Sequence, residues 1–281
     1  MIAACTHVLA STPIPIRFEA CWPFAGFQGT ADSGDTHNRG AGATIGNHIR
    51  NVRMASASGL RLQNRSFKLP DPLEELVELA GPRLGQRLTY KEHVASLAPW
   101  HALGKELLEL LCAKNGFFAY ERALLVRPLH GTGDVLGALE WNSPELWKAT
   151  YDLDMSEVLF FAEDVFGNQY GIRQKDVCYF YAETGDFAHV SDSLRGWCRA
   201  VLNDAAVRTS HPLARCWQAE NGPIPGGHRL APKLPFVCGG TYSIDNLYLT
   251  RDLKAMQFYG SIASQIRHVP DGGSIRFKIT E

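Results

Sequence analysis

Apolar positions recur at helical spacing in several stretches of the chain and run together as strands in others. Their order predicts a mixed architecture. In "LPDPLEELVELAGP" the residues Leu73, Leu76, Val77 and Ala80 share one face, with Asp71 as N-cap, Pro72 at the first helical position, Glu74 in the first turn and Gly81-Pro82 as the stop. In "APWHALGKELLELLCAKNG" the stripe is Trp100, Leu103, Leu107, Leu110 and Leu111, and Asn115-Gly116 ends the helix with a left-handed signal. "RALLVRPL" reads as a strand closed by Pro128, and "HGTGDVLG" as a plain loop, because no helix starts where a phosphate cradle needs one. "NSPELWKATYD", with Ser143 as cap and Pro144 behind it, predicts a short helix.

Three strands follow: "EVLFFAE", "NQYGIR" and "VCYFYAE". The spacers between them are too short for a parallel crossover, so they predict an antiparallel meander. "SDSLRGWCRAVLND" then carries Leu194, Trp197, Cys198, Val201 and Leu202 as one apolar stripe behind a serine cap, a helix laid on that sheet with Trp197 in the core. Beyond it, "SHPLARCWQAENGPIPGG" predicts a helix stopped at Asn221-Gly222, "LPFVCGGTYSIDNLYLT" strand material, and "DLKAMQFYGSIASQIRHV" a helix with Asp252 as cap. Leu253, Met256, Ala263 and Ile266 of that helix are expected on the strands, and "SIRFKI" reads as a last strand. Residues 1–66, rich in Gly, Asn, Ser and Thr and without an apolar period, are expected to be a disordered or non-native extension, with Met54 an alternative start to Met1. The resulting division is 1–66, a domain over 67–206, and an α/β extension over 207–281 packed on that domain.

The order of elements resembles the SUKH superfamily, which includes yeast cell-wall regulators of the Smi and Knr type. The likeness lies in "KNGFFAYERALLVRPL", an acidic Trp-bearing connector, "FFAEDVFGNQYGI", a strand ending in "AETGD" and the closing helix with Trp197, and it spans residues 70–206. Glu163-Asp164-Val165-Phe166-Gly167 stands where that family more often has a Gly-Asp-Gly-type turn. The resemblance implies an α+β fold, an antiparallel or mixed central sheet with helices packed on it, without a catalytic set. It also implies the work of the bacterial members, mostly immunity proteins that neutralise a cognate toxin by binding it.

Composition narrows the function. With 45% apolar and 10% aromatic residues the chain can fill a large core, and a net charge of −1 gives no overall case for nucleic acid or an anionic membrane. Seven cysteines without a C-x-x-C pair suggest neither a disulfide framework nor a zinc site, and no apolar run reaches the length of a membrane span. The opening residues lack the basic start of a signal peptide, so a cytoplasmic location is expected. Charge is uneven: residues 140–204 carry −7. Within them stand the adjacent carboxylates Glu163 and Asp164.

Neighbours on a strand point to opposite faces, so these two cannot enter one pocket without a bulge, and no histidine, lysine or metal-ligand pattern supports them. His130 and His189 likewise lack a nucleophile or ligand spacing beside them. No catalytic residue, metal or cofactor is therefore expected. Asp154, Glu157, Glu163, Asp164, Glu183 and Asp186 are expected instead at the rim of the meander, as a solvated face for a basic partner such as a nuclease-type toxin. The alternatives are a hydrolase or nucleotide-processing enzyme built on the acidic stretch 152–186, and a regulatory scaffold of the cell-wall-regulator kind.

Overall fold

A computed structural model describes residues 70–267 and 269, together with the two-residue strands β1 (Ile14–Pro15) and β10 (Ser274–Ile275), which pair antiparallel. The expectations for residues 1–66, the choice of start included, and for the rest of "SIRFKI" lie outside the described residues.

Two of the predicted caps act where their chemistry places them, whereas Asp252 is the first residue inside its helix, which Arg251 precedes as N-cap. Asp71 accepts a hydrogen bond from the backbone N–H of Leu73 and opens helix α1 (Pro72–Leu79); the Ser193 hydroxyl accepts from Gly196 N–H and opens α5 (Leu194–Asn203). A one-turn helix α2 (Tyr90–His93) precedes α3 (His101–Ala113), which stops just short of the predicted Asn115-Gly116 signal with Lys114 as an extended C-cap; Gly116, at φ +69°, turns the chain into the first strand of the sheet. Six antiparallel strands form the central sheet in the order β2 (Phe117–Ala119), β3 (Leu124–Val126), β4 (Val158–Glu163), β5 (Gln169–Arg173), β6 (Asp176–Phe180) and β7 (Phe187–Ser191). The fold is α+β, as the element order predicts.

Both faces of this sheet are covered. On one, Leu159, Phe161, Tyr170, Ile172 and Tyr179 pack against Leu76 of α1, Leu107 and Leu111 of α3, and Trp197 of α5. On the other, Phe160 and Phe180 pack against Trp141, Trp147, Met256 and Tyr259. Double coverage explains why β4 is apolar almost throughout rather than alternating. A register shift between Phe160 and Ala162 bends β4 just before its two acidic residues.

The stretch 143–150 departs from the helix its cap residues predict. The helix lies earlier, α4 (Ala138–Trp141), and 143–150 forms turns and a single 3-10 turn at Lys148–Thr150. Tertiary demand decides this. Trp147 enters the core 5.2 Å from the Phe160 ring and donates to the Trp141 carbonyl, while the buried Lys148 ammonium donates to the carbonyls of Met155 and Val158.

After α5 the chain forms α6 (Ala205–Thr209), α7 (His211–Asn221), the antiparallel pair β8 (His228–Pro232) and β9 (Leu247–Arg251), and α8 (Asp252–Ile266). Met256, Ala263 and Ile266 of α8 are buried, with Met256, Tyr259 and Ala263 sharing the core of the second sheet face. A separate cluster joins Val165 and Phe166 to Ala214, Trp217, Leu230 and Leu247.

Trp197 is fully buried, its ring edge-on to Phe161 at 5.0 Å and near Tyr170 at 5.6 Å. Trp197→Ala is expected to lower stability by about 3–5 kcal/mol, read as a fall in the urea midpoint at unchanged slope. A midpoint within error of wild type would place this helix off the core.

Candidate functional site

The sequence points first to Glu163 and Asp164, and the structure buries both. Alternation sends them to opposite faces, as strand geometry requires, but neither stands on a solvated rim. That part of the rim expectation is corrected: Glu163 meets partners far away along the chain, and Asp164 is taken up by its own turn and by Tyr179.

Glu163 closes a buried cluster. Its Oε2 accepts from Arg127 Nη2 at 2.7 Å and from Gln169 Nε2 at 2.9 Å, and its Oε1 lies 2.7 Å from Arg229 Nε. The Arg229 approach falls off the hydrogen-bond axis, so this contact is an ion pair rather than an aligned bond. Arg127 also donates to Asp252 at the first turn of α8, at 3.1 Å, and to the Leu136 carbonyl, and its guanidinium stacks 3.5 Å from the centroid of Trp141. Two cations and two anions thus neutralise one another, and none of the four residues is more than 5% exposed. Among the described residues the cluster leaves no carboxylate oxygen free for substrate chemistry at this strand end.

Asp164 is spent differently. Oδ1 accepts from the backbone N–H groups of Phe166 and Asn168, and Oδ2 from Asn168 Nδ2 and from the Tyr179 hydroxyl at 2.7 Å. Burial pushes its carboxyl up to about 6 against the pull of those donors. Gly167, at φ +87°, completes the turn.

The other four predicted residues divide. Glu183 is half-buried, and its two oxygens accept from the N–H groups of Phe236 and Val237, holding the 3-10 turn Phe236–Cys238 against the β6–β7 connection. Burial raises its carboxyl to about 7, against those same two N–H groups. Asp154, Glu157 and Asp186 are exposed, and none of the three pairs with a cationic side chain among the described residues. Their loops touch. The Tyr151 hydroxyl donates to the Ala182 carbonyl, and a Cβ on Gly185 would stand only 2.9 Å from Leu153 Cδ1. The Lys148 ammonium holds the loop behind Asp154 through the Met155 carbonyl, and burial lowers its pKa to about 8.

Sequence reasoning missed Arg127, Arg229 and Asp252 as members of a site. The signal was present in "LLVRPL", where an arginine stands inside an apolar run, while Arg229 in "GGHRLAP" follows a Gly-Gly-His turn and carries none. It also missed a strained turn between β2 and β3, where Tyr120, Glu121 and Arg122 have φ of 50°, 50° and 71°. Left-handed geometry at three successive non-glycine residues costs about 1 kcal/mol or more each, and nothing in residue type announces it. Among the described residues no group of three or more His, Cys, Asp or Glu is placed to hold a metal. No described helix is long and apolar enough to cross a membrane. The described cysteines are free, and burial raises Cys178, Cys198 and Cys238 to about 12, so they are poor nucleophiles.

No family model matches the chain, and no curated protein sequence matches it. Among solved structures it is similar to Atu4351 from Agrobacterium tumefaciens, with 10% identity, a TM-score of 0.50, and coverage of 67% of this chain and 88% of that one. At that identity the likeness is one of fold alone, and it agrees with the α+β class.

Two predictions follow from this chemistry. Glu163→Ala leaves two buried guanidinium groups short of a counter-charge and is expected to cost about 3–5 kcal/mol; adding Arg127→Met, Arg229→Met and Asp252→Asn, which removes every charge of the cluster, should recover most of it. Urea unfolding of both variants measures this, and a quadruple variant no more stable than Glu163→Ala would refute the charge argument. The second concerns pH. Glu183 has a folded pKa near 7 against an ordinary 4.5, so between those values the native state holds a proton that the unfolded chain releases. Stability from this group is therefore full below pH 4.5 and falls as pH rises towards 7, with Asp164 adding to the same fall between 3.8 and about 6. Glu183→Gln should flatten the upper part of that slope in thermal melts across the range.

Proposed function

We propose that the chain is a non-enzymatic binding protein that presents the joined loops carrying Asp154, Glu157 and Asp186 to a basic protein surface. One observation carries the reading: these exposed, unpaired carboxylates sit on two loops that are fastened to each other and to the core. Tyr151 ties one loop to the other, Lys148 grips it from below, and Arg267 of the chain just past α8 donates to the Asp152 carbonyl. An acidic surface that is already ordered loses little conformational entropy on binding, and its field speeds encounter with a cationic partner. The burial of Glu163 and Asp164 weighs against the hydrolase alternative, because the carboxylates it would use are engaged in the fold.

The resemblance to the SUKH superfamily makes the partner a toxin neutralised by occlusion, and a nuclease-type toxin supplies the basic surface, since its substrate is anionic. Glu183 belongs to the support of this face rather than to its contact surface. The site is confined to the three exposed residues, and Glu163 and Asp164 leave the set.

The test is association kinetics of the full chain with the product of the neighbouring reading frame. Asp154→Lys, Glu157→Lys and Asp186→Lys combined should slow association about tenfold or more at low salt and leave the melting temperature unchanged. The difference should vanish towards about 1 M salt, where the screening length falls to about 3 Å. Equal rates at low salt would move the interface elsewhere. Turnover of phosphoesters or glycosides by the purified chain would overturn the binding-only reading.

A further inference from the structure

A cleft of about 490 Å³ opens between the end of α1 and the β2–β3 turn, lined by Leu79, Pro82, Leu84, Phe118, Glu121 and Arg122 among others. It lies within the volume range of small-molecule sites and shares their make-up, apolar walls with a few polar groups. The polar group that matters is Arg122. Its guanidinium lies 3.9 Å from the centroid of Phe118, it is half-buried, and it makes no ion pair or hydrogen bond with any described residue. Arg229 approaches the same Phe118 ring at 5.6 Å, but its charge is answered by Glu163. Arg122 is the uncompensated cation of this corner. Burial and the neighbouring Arg229 both lower its pKa, in that order, which marks how poorly the protein itself solvates it.

The chain holds this cation in place at a cost. Arg122 ends the run of three left-handed residues, and the turn is clamped from outside: Gln218 of α7 donates to the Glu121 carbonyl at 2.7 Å, and the Tyr120 ring packs on His211 at 5.9 Å. Glu121, the one carboxylate on the cleft wall, is exposed and lies 3.4 Å from His211 Nε2, on the side of α7. A strained turn maintained by a separate helix, an arginine without a counter-charge and an apolar cleft in front of it are independent observations with one common explanation.

We infer that this cleft binds a small organic anion, an apolar body bearing one carboxylate, with the carboxylate on Arg122 and the body along Leu79, Leu84 and Phe118. A planar guanidinium matches a carboxylate in two-pronged geometry, and the apolar walls reward a hydrocarbon body rather than a free inorganic ion. The assignment is independent of the acidic face and of any protein partner.

The full chain titrated with phenylbutyrate and with its neutral amide, by calorimetry and by chemical-shift mapping, tests this. Phenylbutyrate is expected to bind with a Kd of about 1 mM or tighter, with shifts centred on Leu79, Phe118 and Arg122, and the amide about tenfold more weakly. Arg122→Met keeps an apolar stem over Phe118 and should abolish the preference for the acid. Gln218→Ala, which frees the Glu121 carbonyl, should weaken acid binding while leaving the amide unchanged; it provides the second reading if Arg122→Met fails to fold. Equal affinity for acid and amide in the wild type, an undiminished preference in either variant, shifts centred elsewhere, or no binding of the acid up to about 10 mM would each overturn the inference.

Discussion

The carboxylate of Glu163, held between Arg127 and Arg229, fixes how this protein is put together. The four charged members of this cluster come from the residue after β3, the end of β4, the start of β8 and the first turn of α8, so one contact joins the central sheet to both later elements packed on it. Apolar packing alone would leave the C-terminal hairpin and helix free to slide, because burial of area has little directional preference. Charges out of water tolerate no such freedom. Each must keep its partner or incur a desolvation cost of several kcal/mol, and the Trp141 face and the Gln169 amide, itself accepting from Trp141 Nε1, complete the enclosure.

Asp164 performs the matching task on the other side. Its four donors come from its own turn and from Tyr179, and Asn168 passes the connection on by accepting from Ala182 N–H at the start of the next turn. Adjacent carboxylates therefore pin opposite layers, which is possible only because strand neighbours diverge. The C-terminal segment is bound up with the sheet through the first and, by Glu183, braced against the β6–β7 connection where the exposed acids stand. Fold and acidic face share one support.

Much of this architecture is legible in the residues. Helices α1, α3 and α5 each carry a long apolar stripe with an N-cap or a stop signal, and strands β4 to β6 carry aromatic runs with short turns between them. What was illegible depended on contacts distant in sequence. β2 has three residues and β7 is a partly exposed edge, so neither shows a decisive period. β8 opens on His228 and Arg229 and reads as too short and polar a strand until Glu163 answers the arginine. Ser143 and Pro144 give a sound local helix start, yet the Ser143 hydroxyl donates to Glu145 instead and Trp147 is drawn into the core. The rim expectation for Glu163 failed for the same reason: turn residues suggest solvent, and nothing local to "AEDVFG" announces Arg127 or Arg229, while Asp164 is buried by its own turn and Tyr179.

The charge excess of the middle segment illustrates the general difficulty. A count treats its acids as equal, but the six singled out in the sequence occupy three states. Glu163 and Asp164 are consumed inside the fold, Glu183 is half-buried and caps a turn, and Asp154, Glu157 and Asp186 face water. Of these six, only the last three face water, and a buried charge neutralised by its neighbours contributes almost no external field. The opposite holds at the β2–β3 turn, in a region whose summed charge is nearly zero: there a single arginine keeps its field because no carboxylate of the described residues meets it. The charge that this fold leaves open is thus set by what each group lacks in the folded state, and net charge along the sequence finds one such place while passing over the other.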